Sequence, residues 1–115
     1  MKYLLLLLFI SPAYADEWTT NDTYREIAYQ GLAAIDWLQT RNIAKNPSYY
    51  EQNSILGEHP SVGRINAYFV ITGLAHYGIS KILTKEYRAP FQYTTIGVEI
   101  GAVVHNYSIG INIKF

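Results

Sequence analysis

Residues 65–80 read INAYFVITGLAHYGIS, a run of apolar and small side chains broken only by Asn66, His76 and Ser80. The run is apolar enough and long enough to enter a bilayer, which makes it the best transmembrane candidate. Pro60 lies just ahead of it and suits the first turn of a helix, so the spacing predicts a helix from about Ser61 to Leu83. On that helix Asn66, Phe69, Gly73, His76 and Ser80 recur at steps of three and four, which gathers small and polar residues into one stripe. Lys81, Lys85 and Arg88 crowd the short turn that follows. Pro90 is then expected to open a third helix reaching about Asn106, with Gly97 and Gly101 forming a GxxxG step that admits a neighbouring backbone. Thr95, Glu99, Ala102 and Asn106 share one face of this third helix, and Gly97, Gly101 and His105 share another.

Toward the N-terminus, Thr23 followed three residues later by Glu26 has the spacing of a capping box, and a first helix is predicted from about Thr23 to Ala44. Its apolar positions Tyr24, Ile27, Ala28, Gly31, Ile35 and Leu38 recur with helical period, while Arg25, Glu26, Gln30 and Asp36 occupy the other faces. Asn46-Pro47 stops it, because proline disfavours helix in the residue before it. A polar connector from Pro47 to His59 follows, long for a helical bundle. Residues 1–15, MKYLLLLLFISPAYA, read as a cleaved secretory signal: Lys2 is the positive start, an apolar core follows, and Ala13-Tyr14-Ala15 is a small-x-small cleavage site. The working domain then covers residues 16–115.

Composition excludes several functions. The chain has nine basic and nine acidic residues and no cysteine; loss of Lys2 leaves eight against nine. Without clustered Lys and Arg there is no footprint for nucleic acid. Without thiols there are no disulfides, CxxC redox centres, thiolate metal sites or lipid-bearing cysteine. The tail alternates Tyr107, Ile109, Ile111, Ile113 and Phe115 with polar or small residues, as a strand does, and an aromatic end resembles the last strand of outer-membrane barrels. Eight strands of about ten residues, with their turns, would take about the whole mature chain, and the first helix already takes too much of it.

The fold expected from this pattern is mainly α: three helices, the second and third forming a transmembrane hairpin, and a short extended C-terminal segment. With the first helix outside, the basic turn faces the cytoplasm, as the positive-inside rule asks. A soluble periplasmic bundle is the alternative, since Asp36, His76, Glu99 and His105 then become interior groups. These four invite a metal or proton site, because buried imidazole and carboxylate are costly unless paired or used. Interhelical hydrogen bonding explains them better. No HExxH or HxxxH pair exists, and Glu99 and His105 lie about 120° apart around a helix, so no metal or cofactor is expected. Ser80, His76 and Asp36 compose a Ser-His-Asp trio only in the sense that any small helical protein offers one. Asp36, Trp37, Gln39, Thr40 and Arg41 form a polar helix end suited to binding a partner, with Arg41 able to lie against the Trp37 indole. Glu51, Asn53, Glu58 and His59 are further candidates in the connector.

Three segments carry a resemblance: Asp36-Trp37-x-Gln39-Thr40-Arg41, then Asn53-Ser54-Ile55-Leu56-Gly57-x-His59-Pro60-Ser61-x-Gly63, and His105-Asn106-Tyr107-Ser108-x-Gly110. In these the chain resembles a family of small exported proteins of tailed phages, prophages and proteobacteria. The resemblance implies membrane residence and no mechanism; the partners expected are membrane lipid and envelope proteins or a second copy, and enzyme activity is not expected. Expressed with its leader in a bacterial host, the chain is expected to begin at Asp16. Intact-mass measurement checks this, and a product retaining residues 1–15 contradicts it.

Overall fold

The computed structural model describes residues 17–45, 55–57 and 59–111. They hold three helices, α1 (Thr20–Lys45), α2 (Val62–Ile82) and α3 (Lys85–Ser108), and no strand. The leader, the connector residues Glu51, Asn53 and Glu58, and the last four residues of the tail lie outside the described residues.

α1 begins earlier than the Thr23–Glu26 spacing suggests. Asp22 N–H donates to Thr19 Oγ1 at 3.2 Å and Thr19 N–H donates to the Asp22 carboxylate at 2.8 Å, the reciprocal bonds of a capping box. Thr23 instead accepts from Trp18 Nε1–H at 2.7 Å. Glu26 is thereby left to turn inward, where it meets His76.

Ser61 caps α2 by accepting from Arg64 N–H at 3.1 Å. Ahead of it, Gly57 adopts φ +86°, a left-handed conformation that favours glycine. The turn lowers Leu56 onto Ile65 and Phe69, with Trp37, Ala44 and Tyr68 around them. This is a small apolar core. α3 starts at Lys85 rather than at Pro90, which falls inside the helix. The early start follows from Arg88: its side chain reaches back to the carbonyls of Ser80, Lys81 and Leu83 at 2.6, 3.2 and 3.0 Å and covers the end of α2. Arg88 is therefore buried and does not join Lys81 and Lys85 in an exposed basic turn. At the other end, Gly110 takes φ +93°, its N–H donates to the Tyr107 carbonyl, and Ile111 N–H donates to that of Asn106. That is a Schellman ending. The tail expected to start a strand at Tyr107 is helical through Ser108 and ends in a buried Ile111.

α1 is the centre of the bundle: α2 and α3 both pack against it and touch each other little. The expected pairing of α2 with α3 as a membrane-crossing hairpin is corrected accordingly. No helix among the described residues is long and apolar enough to cross a membrane. Asn66, His76 and Ser80 in α2, and Arg88, Gln92, Glu99 and Asn106 in α3, dilute the apolar runs because these positions serve contacts with α1 or with the α2–α3 turn. Among the described residues, Gly97 and Gly101 have nothing within 4 Å of where a Cβ would stand, and no described backbone docks on that GxxxG step. Gly73 does meet a neighbour, with Gln30 Oε1 3.1 Å from its Cβ position.

The bundle is partly inverted relative to a water-soluble one, because polar side chains fill half of its buried positions. Asp22, Glu26, Gln39, Thr40, His76, Ser80, Arg88, Gln92 and Asn106 are buried, whereas Tyr24 (65%), Ile27 (63%), Leu74 (70%) and Val98 (66%) are exposed. On α1 the periodic apolar stripe thus turns outward at Tyr24 and Ile27, and the acidic stripe Asp22–Glu26 turns inward. Ion pairs and buried hydrogen bonds explain this orientation. Arg88 Nη1 donates to Asp22 at 2.8 Å, Arg25 pairs with the same carboxylate, and His76 Nδ1 lies 2.8 Å from Glu26. Removing one member of a buried, bonded pair strands the other. Arg88→Met is expected to destabilise the fold by about 3–5 kcal/mol, and Asp22→Asn with Arg88→Met by less than the single change. Urea unfolding followed by circular dichroism measures both; a loss under about 1 kcal/mol for Arg88→Met would show that the network does not hold the helices.

Candidate functional site

α1 carries two polar clusters, one at each half. In the first, Glu26 is the hub. His76 Nδ1 lies 2.9 and 2.8 Å from its two oxygens, Gln30 Nε2 donates to it at 2.8 Å, and Gln92 Nε2 donates at 3.2 Å. Burial pushes the Glu26 carboxyl up, but the bonds from His76, Gln30 and Gln92 outweigh it and hold the group below the ordinary carboxylate range. Asp22 is likewise held low, burial being outweighed by Thr19 and Arg88. His76 Nε2 faces Thr95 Oγ1 at 2.7 Å. The imidazole is sandwiched between the rings of Tyr29 and Phe91, with centroids 3.5 and 4.8 Å away.

The second cluster opens onto a cavity of about 410 Å³ between α1, α2 and α3, lined by Asp36, Thr40, Tyr68, Glu99, His105 and Asn106 among others. Asp36 and Glu99 share a hydrogen bond across the α1–α3 contact. Thr40 Oγ1 donates to Asp36 Oδ1 at 3.2 Å, and Glu99 Oε2 is buried with no hydrogen-bond partner among the described residues. Burial, then the bond and charge of Asp36, push Glu99 up to about 8; burial also raises Asp36, against the bonds from Glu99 and Thr40. Two carboxylates this close cannot both ionise cheaply, so near neutral pH the pair retains a proton. Beside them Asn106 Nδ2 donates to Gln39 Oε1 at 3.0 Å, and Gln39 Nε2 donates to the Val103 carbonyl at 3.3 Å.

Of the residues singled out from the sequence, Asp36, Thr40, Glu99, His105 and Asn106 do meet at one cavity, with Gly101 on its wall and Gln39 behind Asn106. His76 does not join them. It belongs to the other cluster, and no three His, Asp or Glu side chains among the described residues come close enough to hold a metal ion. Trp37 serves packing: Nε1–H donates to Asn66 Oδ1 at 2.9 Å, and the indole stacks on Phe69. Its predicted cation is absent, since the described cation–aromatic contacts fall on Trp18, Tyr77 and Tyr93 instead. Arg41 is half-buried, with Nε unbonded among the described residues. His59 is exposed, and Glu51 and Asn53 lie outside the described residues. Asp22, Glu26, Arg88, Gln92 and Thr95 were not legible as site residues. The one available signal was the i, i+4 recurrence of Asp22, Glu26 and Gln30 on a helix face, which reads equally as a solvated stripe.

No family model, curated protein or solved structure matches the chain.

The raised Glu99 makes stability depend on pH with a definite sign. At and below pH 4.5, its ordinary value, folded and unfolded chains both carry the proton and the contribution is intact. Between pH 4.5 and about 8 only the folded chain keeps it, so stability falls as pH rises. The melting temperature is expected to decline across this interval, and Glu99→Gln to flatten the decline; parallel curves for the two proteins would contradict the shared proton.

Proposed function

We propose that this is a small exported envelope protein that rests against membrane lipid through its apolar exterior and acts there by contacts with envelope proteins. The observation that carries the reading is the inversion of the bundle. On the outward faces, α1 between Thr20 and Lys45, α2 between Arg64 and Lys81, and α3 after Glu86 expose no Asp, Glu, Lys or Arg. Tyr24, Ile27, Val70, Ile71, Leu74, Tyr93, Ile100 and Val104 stand there instead. Water penalises so extensive an apolar exterior, whereas acyl chains accept it. The hydropathy of each helix is lowered by residues that face inward, and lipid meets only the outward ones. The reading concerns these faces and requires no helix to cross as a span. The reading of residues 1–15 as a leader and the phage and prophage resemblance support it, and the location proposed is the inner membrane, with the periplasm second and the outer membrane third.

A second reading is favoured by the buried, unbonded Glu99 oxygen: the Asp36–Glu99 cavity takes up a small cationic group or a proton, with Thr40 and Asn106 completing its polar wall. It is compatible with the first, because a contact protein can carry a ligand.

Flotation with vesicles of phosphatidylethanolamine and phosphatidylglycerol, and alkaline extraction of separated cell membranes, test the lipid contact. The full chain is expected to float and to resist extraction, and Leu74→Lys with Val104→Lys to lose at least half of the floating fraction while remaining helical. Complete alkaline release together with a soluble dimer by light scattering would overturn it, showing that the outward faces meet protein.

A further inference from the structure

The first polar cluster has an order that packing alone does not require: a carboxylate, an imidazole and a hydroxyl in one line of short contacts. We propose that Glu26, His76 and Thr95 form an acid–base–nucleophile relay that cleaves esters of apolar acyl groups. The proposal goes beyond the lipid contact and does not depend on it.

Glu26 is on α1, His76 on α2 and Thr95 on α3, so the relay exists only when all three helices are assembled. The two Glu26 oxygens both face His76 Nδ1; in the tautomer that donates from Nδ1 to this carboxylate, the Nε2 lone pair faces Thr95. The Thr95 hydroxyl has three acceptors in reach: His76 Nε2 at 2.7 Å, and the carbonyls of Phe91 and Gln92 at 3.0 Å each. The imidazole is the nearest. Tyr29 and Phe91 clamp the ring from both faces and fix its orientation. Gln30 and Gln92 hold the carboxylate in place, as the third group of a nucleophile–base–orienter arrangement must be held.

Thr95 also lines the wall of an apolar groove of about 610 Å³, with Leu83, Tyr87, Pro90, Phe91 and Thr94. A hydroxyl activated beside an apolar wall selects an ester whose acyl chain lies along that wall and whose carbonyl carbon reaches Thr95 Oγ. In the first step the Thr95 Oγ–acyl bond forms and the ester C–O bond breaks. The hydroxyl proton passes to His76 Nε2 and from there to the departing alkoxide, which leaves as an alcohol. Water then attacks the acyl-threonine, gives a proton through His76 back to Thr95 Oγ, and releases the carboxylic acid. The sum is ester plus water giving alcohol plus acid, with no oxidant or metal.

The full chain, purified in detergent, is assayed with p-nitrophenyl octanoate and p-nitrophenyl acetate and treated with a fluorophosphonate probe, the labelled residue being located by mass spectrometry. Wild type is expected to release nitrophenolate faster from the octanoate and to carry the label on Thr95. Thr95→Val keeps the shape of the side chain without its hydroxyl and is expected to lose turnover and label; Thr95→Ser is expected to keep both. His76→Gln is expected to lower turnover by roughly a hundredfold or more. Circular dichroism of each variant establishes that the helices remain. Turnover of wild type no higher than that of folded Thr95→Val, with Thr95 unlabelled, overturns the proposal.

Discussion

A guanidinium enclosed by protein sets the terms for the rest of this fold. Arg88 is about 1% exposed and cannot shed its charge, so the structure has to bring it acceptors. It does so from two directions: the carbonyls that end α2 and the Asp22 carboxylate of α1. Once Asp22 is committed inward, the pitch of the helix carries Glu26 inward one turn later, and His76 and Gln92 must meet it. Apolar residues such as Tyr24 and Ile27 on the same helix are then turned outward, while Leu56, Ile65 and Phe69 keep a small apolar core. The inverted exterior follows from where one charged pair is satisfied.

The helices were legible because local chemistry marks them. Asn46-Pro47 lies just beyond the described end of α1, and Ser61 with Pro60 lies at the start of α2. What the sequence could not show was which face of each helix is buried. The apolar stripe of Tyr24, Ile27 and their partners has the period of a core-facing stripe, and periodicity reports that two faces differ without saying which is inside. That depends on Arg88, more than sixty positions away from Asp22. The two misplaced helix starts have a similar cause. Thr19–Asp22 and Thr23–Glu26 both have capping-box spacing, and Pro90 is a plausible first-turn residue. Tertiary partners of Glu26 and Arg88 decided in each case.

The site residues divide along the same line. Asp36, Thr40, Glu99 and Asn106 stood out because ionisable or amide groups within apolar helices are conspicuous, and the cavity gathers them. Thr95 and Glu26 did not stand out, since a threonine and a glutamate in helices are ordinary in isolation. Only the 2.7–2.9 Å contacts to one imidazole give them meaning. Trp37 presents the opposite case: an aromatic one turn from an arginine suggests binding, and the fold shows its N–H and its ring meeting Asn66 and Phe69 of α2.

Interiors built from oil-like side chains drift one residue at a time, because one methylene more or less is tolerated. Much of the interior between α1 and its two neighbours is instead built from paired polar groups, so His76 constrains Glu26, Gln39 constrains Asn106, and Arg88 constrains Asp22. A change at one member of such a pair calls for a compensating change at the other, whereas an outward apolar residue such as Leu74 or Val98 has no bonded partner to lose. Descendants of one ancestor would then keep the bonding scheme long after their sequences ceased to align.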